Sequence, residues 1–322
     1  MEKILIIGAN GQLGVELTEH LARIHGTAQV IAADIRAPQH SPQRPLNSPN
    51  AVRHVILDVM DAAALRAIVN THQITQVYQL AAMLSATGEA HPLRAWDLNM
   101  QGLINTLELA RDSSHSTLRR VFWPSSIAAF GPNTPRDNTP QHTVMDPSSM
   151  YGITKLAGER LCEYYHSKYG VDVRSIRYPG VISYASPPGG GTTDYAIDIF
   201  RAAKRGETYR CFLEATTTLP MIYMPDAIRA TLELMDADSN AIKVRSSYNV
   251  AGMSFNPAEL AHAIQKSHPD FAIVYEPDIR QDIAQSWPCS LDDEQARADW
   301  GWRPQYDLPA LAKDMLLNIP TH

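Results

Sequence analysis

Apolar residues recur with two different periods along the first 180 residues of the chain. Short apolar runs, which are typical of buried strands, alternate with longer segments in which apolar side chains return every three or four positions, as on one face of a helix. The runs predict strands at 3–7, 29–33, 52–57, 76–80, 119–123 and 172–177, and the longer segments predict helices at 11–24, 62–69, 93–111 and 150–169.

This regular alternation of strands and helices predicts the fold class. It favours an α/β architecture, a Rossmann-type doubly wound parallel sheet with helices on both of its faces. The pattern changes after Pro179, and a stretch rich in proline and glycine follows at 186–193. We therefore predict a large domain at 1–180 and a smaller C-terminal lobe at 181–322, from which part of the chain returns to the sheet.

Composition and charge exclude several classes of function. The chain has 322 residues and a formal net charge of -6, which argues against nucleic acid as the main partner. Cys162, Cys211 and Cys289 are scattered and form no CxxC pair, so neither a disulfide framework nor a metal site is expected. The sequence has no visible signal peptide, and no apolar run approaches the roughly 18 residues that span a bilayer. We expect a cytoplasmic protein without a membrane segment.

A glycine-rich turn follows the first predicted strand. The segment Gly8-Ala9-Asn10-Gly11-Gln12-Leu13-Gly14 has the spacing GxxGxxG and leads into an amphipathic helix. Glycines at such a turn let backbone amides approach a pyrophosphate at the positive end of the helix. Asp34 ends the next predicted strand, where a carboxylate binds the adenosine ribose diol and repels a 2′-phosphate. The turn therefore predicts a dinucleotide site that prefers NAD to NADP, although Arg36 could instead meet the phosphate.

Further polar and small residues follow strands at the same edge of the predicted sheet. Asp58-Val59 closes the third strand, where a carboxylate can accept the adenine amino group, although a surface aspartate is equally common at such a position. Leu80-Ala81-Ala82 ends the fourth strand with small residues, which let the backbone pass close to a cofactor. Asn99 lies in the middle of a predicted helix, where asparagine is unfavourable. A buried hydrogen bond near the site would explain its position, and a solvated asparagine is the alternative.

Tyr151 and Lys155 are four residues apart on one face of a predicted helix. A free phenol has a pKa near ~10. A neighbouring ammonium and the positive nicotinamide of an oxidised cofactor are expected to lower that pKa, so that Tyr151 acts as a base. The lysine can also hold the cofactor ribose, and a hydroxyl of Ser125 or Ser126 would orient an alcohol. Together with the glycine turn, this set predicts hydride transfer at an alcohol carbon.

The chain resembles the extended short-chain dehydrogenase/reductases, a group that includes UDP-galactose 4-epimerase. The residues that carry this resemblance are Gly8, Gly11, Gly14, Asp34, Asp58, Asn99, Ser126, Tyr151 and Lys155. Within the group it is similar, over essentially its whole length, to the L-threonine 3-dehydrogenases of the short-chain type. This closer likeness lies in 177–184, 190–196, 219–227 and 286–288. It implies oxidation of the 3-hydroxyl of L-threonine to L-2-amino-3-oxobutyrate, with NAD as the hydride acceptor.

The resemblance also implies roles for individual residues. Ser126 would be the catalytic hydroxyl that acts with Tyr151 and Lys155. The cofactor would be bound by Gly8, Asn10, Gly11, Gln12, Leu13, Gly14, Asp34, Asp58, Val59, Leu80, Ala81, Ala82, Asn99, Tyr151, Lys155, Tyr178 and Pro179. The small-molecule substrate would contact Ser85, Ser125, Ser126, Tyr151, Thr192 and Thr193.

The stretch 186–193 is predicted to act as a lid. We expect it to be mobile without ligand and to close when the amino acid and NAD are both bound. A helix is predicted to begin near Thr193 or Asp194, and its free amides could hold a carboxylate. From the residues alone, Thr192 and Thr193 could equally belong to an ordinary polar loop.

Two other functions and one assembly fit parts of the pattern. A nucleoside-diphosphate-sugar epimerase or reductase has the same fold but needs a larger cleft. A protein that senses NAD without catalysis would be expected to lack part of the catalytic set, which is present here. The helices at 93–111 and 150–169 are expected to form a four-helix bundle in a homodimer, because their apolar residues exceed what one face needs to cover the sheet. These apolar residues are Ile153, Leu156, Leu161, Tyr164 and Tyr165.

Overall fold

The computed structural model describes residues 2–38, 51–112, 116–185 and 189–320. The strands of its first half are β1 (Ile4–Ile7), β2 (Val30–Asp34), β3 (Arg53–Ile56), β4 (Gln76–Gln79), β5 (Arg120–Phe122), β6 (Ser125–Ser126) and β7 (Asp172–Arg174). All except β6 form one parallel sheet in the order β3-β2-β1-β4-β5-β7. The chain thus winds outward from β1 on one side and from β4 on the other, which confirms the predicted α/β fold.

The helices of this half lie close to their predicted positions. They are α1 (Gln12–His25), α2 (Ala62–His72), α3 (Ser85–Ala90), α4 (Pro92–Arg111) and α5 (Met150–Tyr169). The short helix α3 was not predicted, because its sequence Ser-Ala-Thr-Gly-Glu-Ala has no apolar period. Helix α5 has the predicted bounds because both of its ends carry caps. Ser149 accepts from the Gly152 amide, and Gly170 ends the helix in the left-handed conformation.

Side chains on the two faces of the sheet bury two separate layers. Ile4 and Ile6 of β1 point into one layer, which contains Leu17 of α1. Leu5 and Ile7 point into the opposite layer with the apolar residues of α2, α4 and α5. This division follows from the two-residue period of a strand. Because β1 is central and buried on both faces, it reads as a continuous apolar run.

The chain beyond β7 forms smaller units. Its strands are β8 (Ile176–Tyr178), β9 (Gly180–Ile182), β10 (Tyr209–Cys211), β11 (Leu219–Tyr223), β12 (Tyr248–Asn249), β13 (Met253–Phe255) and β14 (Ile273–Tyr275). Its helices are α6 (Tyr195–Arg205), α7 (Met224–Asp236), α8 (Pro257–Gln265), α9 (Ile279–Gln285), α10 (Glu294–Trp300) and α11 (Leu308–Asn318). The strands pair as β12-β8-β6, β13-β11-β9 and β10-β14. The single strand predicted at 172–177 is therefore two strands, β7 and β8, which belong to different sheets.

Parts of the second half pack against different partners. Helix α7 and strand β12 share a hydrophobic core with β1 and α1 on the face of the six-stranded sheet. Helices α6, α8 and α11 surround a second core that reaches Ile127 and Phe130 beside β6. The boundary between 180 and 181 remains a prediction, because β8 and β12 pair across it. None of the helices in the described ranges has the length and apolar composition that a membrane span requires.

Candidate active site

A cavity of about 250 Å³ opens at the edge of the main sheet where β1 and β4 end. Its wall combines the glycine turn, the ends of strands β4 to β6, the start of α5 and the segment that leads into α6. Most of the predicted site residues line it. These are Gly8, Gly11, Gln12, Leu13, Gly14, Leu80, Ala82, Ser85, Ser125, Ser126, Tyr151, Lys155, Tyr178, Pro179, Thr192 and Thr193.

The glycine turn is a tight backbone cradle on one side of this cavity. Gly8 has a φ of +83°, and a Cβ there would stand 2.8 Å from the Ala81 amide nitrogen. A Cβ on Gly14 would collide with the Gly8 carbonyl oxygen. The Nε2 atom of Gln12 is buried and has no hydrogen-bond partner among the described residues. A close-packed turn with an unpaired donor fits the pyrophosphate of a dinucleotide, since that group supplies acceptors at the start of α1.

Asp34 and Asn10 hold the glycine turn in place by hydrogen bonds to its backbone and to the segment after β2. The Asp34 carboxylate accepts from the Asn10 amide at 3.0 Å and from the Arg36 amide at 3.1 Å. The Asn10 side chain donates to the Arg36 carbonyl at 2.8 Å. Asp34 therefore lies at the end of β2, as predicted, next to the glycine turn but not in the cavity wall. Arg36 is exposed. The position of Asp34 is compatible with a bond to an adenosine ribose.

Asp58, Val59, Ala81 and Asn99 are not part of the cavity wall. Asp58 accepts from the Met60 amide in a local turn, and Val59 is buried against α4. Asn99 is buried, and its side chain bonds both backbone groups of Met83 and the hydroxyl of Thr154. It thus makes the buried hydrogen bonds that its mid-helix position predicts, and it ties the chain after β4 to α4 and α5. Direct cofactor contacts by these four residues remain predictions.

Tyr151 and Lys155 project from α5 into the cavity, as their spacing predicts. The Lys155 Nζ atom lies 5.3 Å from the centre of the Tyr151 ring and 4.6 Å from that of Trp123. It donates a 2.6 Å hydrogen bond to the Pro124 carbonyl. Burial lowers the pKa of Lys155 to about 7, because a buried ammonium loses its hydration.

The protonation state of Tyr151 differs from the sequence-based expectation. Burial raises its pKa to about 12, and a hydrogen bond from Ser126 only partly opposes that rise. We expected the lysine and the positive nicotinamide of an oxidised cofactor to lower this pKa. In the protein without cofactor it is raised, because desolvation disfavours the phenolate more strongly than its neighbours stabilise it, and the lowering in the complex stays a prediction.

The two serines of β6 have different surroundings. Ser126 begins a short 3₁₀ turn, Ile127–Ala129, and its hydroxyl accepts from the Ala128 amide at 3.2 Å while facing Tyr151. The Ser125 hydroxyl donates to Glu159 at 2.6 Å, and both residues are buried. Ser125 borders the cavity, but its hydroxyl is already bonded inside the protein. The predicted substrate contact by Ser125 is therefore not supported by the direction of its side chain.

Two glycines of α5 let the helix approach this turn. A Cβ on Gly152 would collide with the Ala128 carbonyl, and a Cβ on Gly158 would collide with the Trp123 ring. Glu89 of α3 accepts a 2.6 Å hydrogen bond from the Met150 amide at the first turn of the helix. The position of Tyr151 therefore depends on two close contacts of α5, one with backbone and one with the Trp123 ring, that only glycine permits.

The opposite wall comes from α3 and from the chain before α6. Ser85 begins α3, and Thr192 is buried with a hydroxyl that has no partner among the described residues. Thr193 packs its methyl group against Gly180. Tyr178 lines the cavity, while its hydroxyl bonds Thr231 in the core. The first three residues of the predicted lid, 186–188, lie outside the described residues.

The start of α6 differs from the expectation of free amides. Asp194 accepts from the Gly190 and Gly191 amides at 2.8 and 2.7 Å. The amides before this helix are thus already bonded to a carboxylate of the protein, and burial raises the pKa of Asp194. Asp194 and Trp287 both line the cavity and were not predicted as site residues. Trp287 lies in the segment 286–288, which contributed to the resemblance without indicating a role.

Fold and site together define a nicotinamide-dependent oxidoreductase of the extended short-chain dehydrogenase/reductase type. The model of the NAD dependent epimerase/dehydratase family matches residues 4–251, and the chain belongs to this family. A curated relative from Staphylococcus saprophyticus, described as an uncharacterised epimerase/dehydratase, is 48% identical over 98% of this chain and 96% of its own length.

Solved structures with high similarity come from a narrower group. A GalE-like L-threonine dehydrogenase from Cupriavidus necator, in its holo form, is 56% identical with a TM-score of 0.93, over 98% of this chain and 99% of that one. A monomeric L-threonine 3-dehydrogenase from a metagenome, in its apo form, is 43% identical with a TM-score of 0.91, over 98% of both chains.

Proposed function

We propose that the protein oxidises the 3-hydroxyl of L-threonine to L-2-amino-3-oxobutyrate with NAD as the hydride acceptor. The observation that carries the proposal is the meeting of Ser126, Tyr151 and Lys155 with the glycine cradle and Thr192 around one cavity. The threonine dehydrogenase from Cupriavidus necator, similar along nearly the whole chain, supports the choice of substrate.

The side chains of this cavity suggest how the reaction proceeds. Tyr151 takes the proton of the substrate hydroxyl, and Ser126 holds the same oxygen by a hydrogen bond. A bound nicotinamide supplies the acceptor for the hydride that leaves the alcohol carbon. Lys155 holds the ribose and, as a cation beside the ring of Tyr151, favours the phenolate. Burial raises the pKa of Tyr151 to about 12 even with the hydrogen bond to Ser126, so the positive charge of an oxidised cofactor would add to that of Lys155 in favouring the base.

The charges of the cavity fit a small zwitterion. Lys155 and Asp194 are the charged side chains among the described residues that line it. The Asp194 carboxylate can accept from the ammonium group of the substrate. The hydroxyls of Ser85 and Thr192 can donate to the carboxylate of the substrate. A sugar nucleotide would need a second set of diphosphate donors in addition to the glycine turn that serves the cofactor, and Lys155 is the one cationic side chain in the described lining. The lining therefore favours an amino acid over a sugar nucleotide.

NAD is proposed as the cofactor in preference to NADP. The Asp34 carboxylate ends β2 beside the glycine cradle, where it would accept hydrogen bonds from the ribose diol and repel a 2′-phosphate.

The proposed location is the cytoplasm. The three cysteines are all unpaired, which suits a reducing compartment.

A homodimer through α4 and α5 is also proposed. Ile153 and Tyr164 of α5 and Trp96 of α4 are 39%, 46% and 41% exposed, so these two long helices present large apolar side chains to solvent. Tyr165 is not part of this surface, because it is buried and its hydroxyl donates to Glu108 within the same chain.

The direct test is a substrate panel followed by NADH absorbance. L-Threonine should give the highest kcat/KM, with L-allo-threonine, L-serine and UDP-galactose well below it. Conversion of UDP-galactose without any NADH formation from threonine would establish the sugar-nucleotide function instead. NAD binding without turnover of any member would indicate a sensor.

A further inference from the structure

A buried ion pair joins the catalytic helix α5 to strand β8 and has no part in the mechanism above. Glu159 is fully buried on α5, and its carboxylate accepts from Arg177 of β8 at 2.9 Å and 2.8 Å. The Ser125 hydroxyl donates to the same carboxylate at 2.6 Å. The carboxylate thus joins α5 to two strands, β6 and β8, that end at the cavity.

Arg177 extends this cluster to two further segments. Its Nη1 atom donates to the Gln141 carbonyl at 2.9 Å and to the Asn249 side chain at 3.0 Å. The guanidinium lies 5.0 Å from the centre of the Phe130 ring. Gln141 belongs to the long loop before α5, and Asn249 belongs to β12. The cluster therefore connects the loop, both halves of the chain and the catalytic helix.

Three consecutive residues after β5 contact three successive turns of α5. The contacts on α5 are spaced by four residues, so they fall on one face of the helix. The pairs are Ser126 with Tyr151, the Pro124 carbonyl with Lys155, and Ser125 with Glu159. Because the third pair is buried and charge-assisted, it fixes the register in which the other two pairs meet.

Stability alone gives a weak reason for a buried ion pair here. Replacing such pairs by well-packed apolar residues is often neutral or stabilising, since both charges must be dehydrated. A buried ammonium such as Lys155, however, needs a compensating charge to remain cationic. Cys162 and Glu159 on the same helix act against the effect of burial on Lys155. Burial raises the pKa of the Cys162 thiol, so at neutral pH the charge that acts is that of Glu159.

We propose that Glu159 is a positioning residue for the reaction proposed above. Held between Ser125 and Arg177, its carboxylate sets the register of the strand that carries Ser126 and supplies the counter-charge for Lys155. The other groups around Lys155 are Tyr151 and the Cys162 thiol on the same helix and the uncharged Trp123 and Pro124 on the strand side. The cations that share the Glu159 carboxylate are Arg177 at 2.8 Å and Arg160 at 4.0 Å. The inference rests on the proposed function only in its kinetic part.

Two variants separate charge from shape. Glu159→Gln keeps the size and loses the charge, whereas Glu159→Asp keeps the charge and shortens the side chain. The pKa of Lys155 is read by NMR of protein labelled with ¹³C at the lysine Cε, with the signal assigned by its loss in Lys155→Met. Glu159→Gln should lower this pKa by about one pH unit, because one nearby negative charge is lost. Glu159→Asp should keep it near the wild-type value.

The kinetic readout is the pH profile of threonine oxidation. In Glu159→Gln the acidic limb and the basic limb of this profile should both shift to lower pH. The kcat at neutral pH should fall about tenfold. The matched control is Asp226→Asn, which removes a buried carboxylate paired with Arg229 on α7, away from the cavity. This control should lower the Tm and leave the profile unshifted.

Ser125→Ala is a milder variant that keeps the proposal testable if Glu159→Gln fails to fold. Loss of the bond to Glu159 should lower kcat several-fold and leave the KM for threonine within about twofold. A direct substrate contact by Ser125 would instead raise that KM. An unchanged Lys155 titration in Glu159→Gln, or an unchanged kcat in Ser125→Ala, would contradict the proposal. Wild-type protein that titrates as expected but does not oxidise threonine would contradict only the proposed function.

Discussion

At the scale of single residues, the sequence predicts which side chains share a helix face better than it predicts their protonation states. The shared face of Tyr151 and Lys155 follows from helical geometry over four residues, and the structure confirms it. The pKa of Tyr151 depends on burial by segments distant in the chain, so its rise in the cofactor-free protein could not be predicted from the sequence. The bond from Ser125 to Glu159 escaped prediction for the same reason.

Tyr151→Phe should lower kcat by about 10²–10⁴-fold, because the base for the substrate proton is lost. The ring still fills its place, so the Kd for NADH measured by fluorescence should change little. Retention of more than half of the wild-type activity would reject Tyr151 as the base.

Lys155→Met should stabilise the protein relative to wild type most strongly below about pH 7. The pKa of Lys155 is lowered on folding to about 7 from 10.5. Burial of the cation therefore costs stability in full below pH 7, and this cost disappears as the pH rises toward 10.5. The difference in Tm between variant and wild type, measured by circular dichroism without cofactor, should shrink steadily from pH 7 to pH 10. A difference that is constant with pH would show that Lys155 is not dehydrated.

Asp34→Asn should reduce the preference for NAD over NADP. The amide keeps an acceptor for the Asn10 backbone amide and removes the charge that repels a 2′-phosphate. Wild-type kcat/KM should be about 10²-fold higher with NAD, and the variant should lose most of that ratio. Equal efficiency of the wild-type protein with both cofactors would instead assign Arg36 to the phosphate.

At the scale of elements, the sequence predicted what local periodicity determines. The bounds of α5 agree because a serine cap and a terminal glycine mark them. Helix α3 escaped prediction because six residues without an apolar period carry no helical signal. The break at Ser175 between β7 and β8 also escaped prediction, because no glycine or proline interrupts 172–178 and the two strands differ only in their pairing partners.

Thr192→Val should raise the KM for threonine about tenfold and leave the KM for NAD unchanged. The Thr192 hydroxyl is buried and has no partner among the described residues, so it is available to the substrate. Thr193→Val should have a smaller effect, because Thr193 packs its methyl group against Gly180. An unchanged threonine KM in the double variant would show that this segment is only a connector.

At the scale of the whole molecule, long-range pairing sets the limits of prediction. The parallel sheet followed from the alternation of strands and helices. We predicted that part of the C-terminal lobe returns to the sheet, but not that α7 and β12 pack on the first half, since this depends on contacts such as that of Tyr248 with Ile176. The cavity draws on the glycine turn, α5 and the chain before α6, so only the residues that fall in motifs could be assigned to it from the sequence.

Sedimentation at micromolar concentration should show a homodimer, and Ile153→Glu should shift it to monomer, because a charge would be buried in the α4–α5 surface. Ile279→Glu on α9 is the matched control. Ile279 is 77% exposed, and this variant should remain dimeric. Wild-type protein that sediments only as a monomer would remove the four-helix bundle from the account and leave the active site untouched.

The transfer of deuterium from L-threonine labelled at C3 tests the central claim most directly. Incubation with NAD should place the deuterium on C4 of the nicotinamide, as seen by mass spectrometry and NMR of the recovered NADH. The rate should fall by the same large factor in Tyr151→Phe as in the absorbance assay. Unlabelled NADH, or no NADH from threonine while another alcohol is oxidised, would contradict the assignment of this cavity to threonine oxidation.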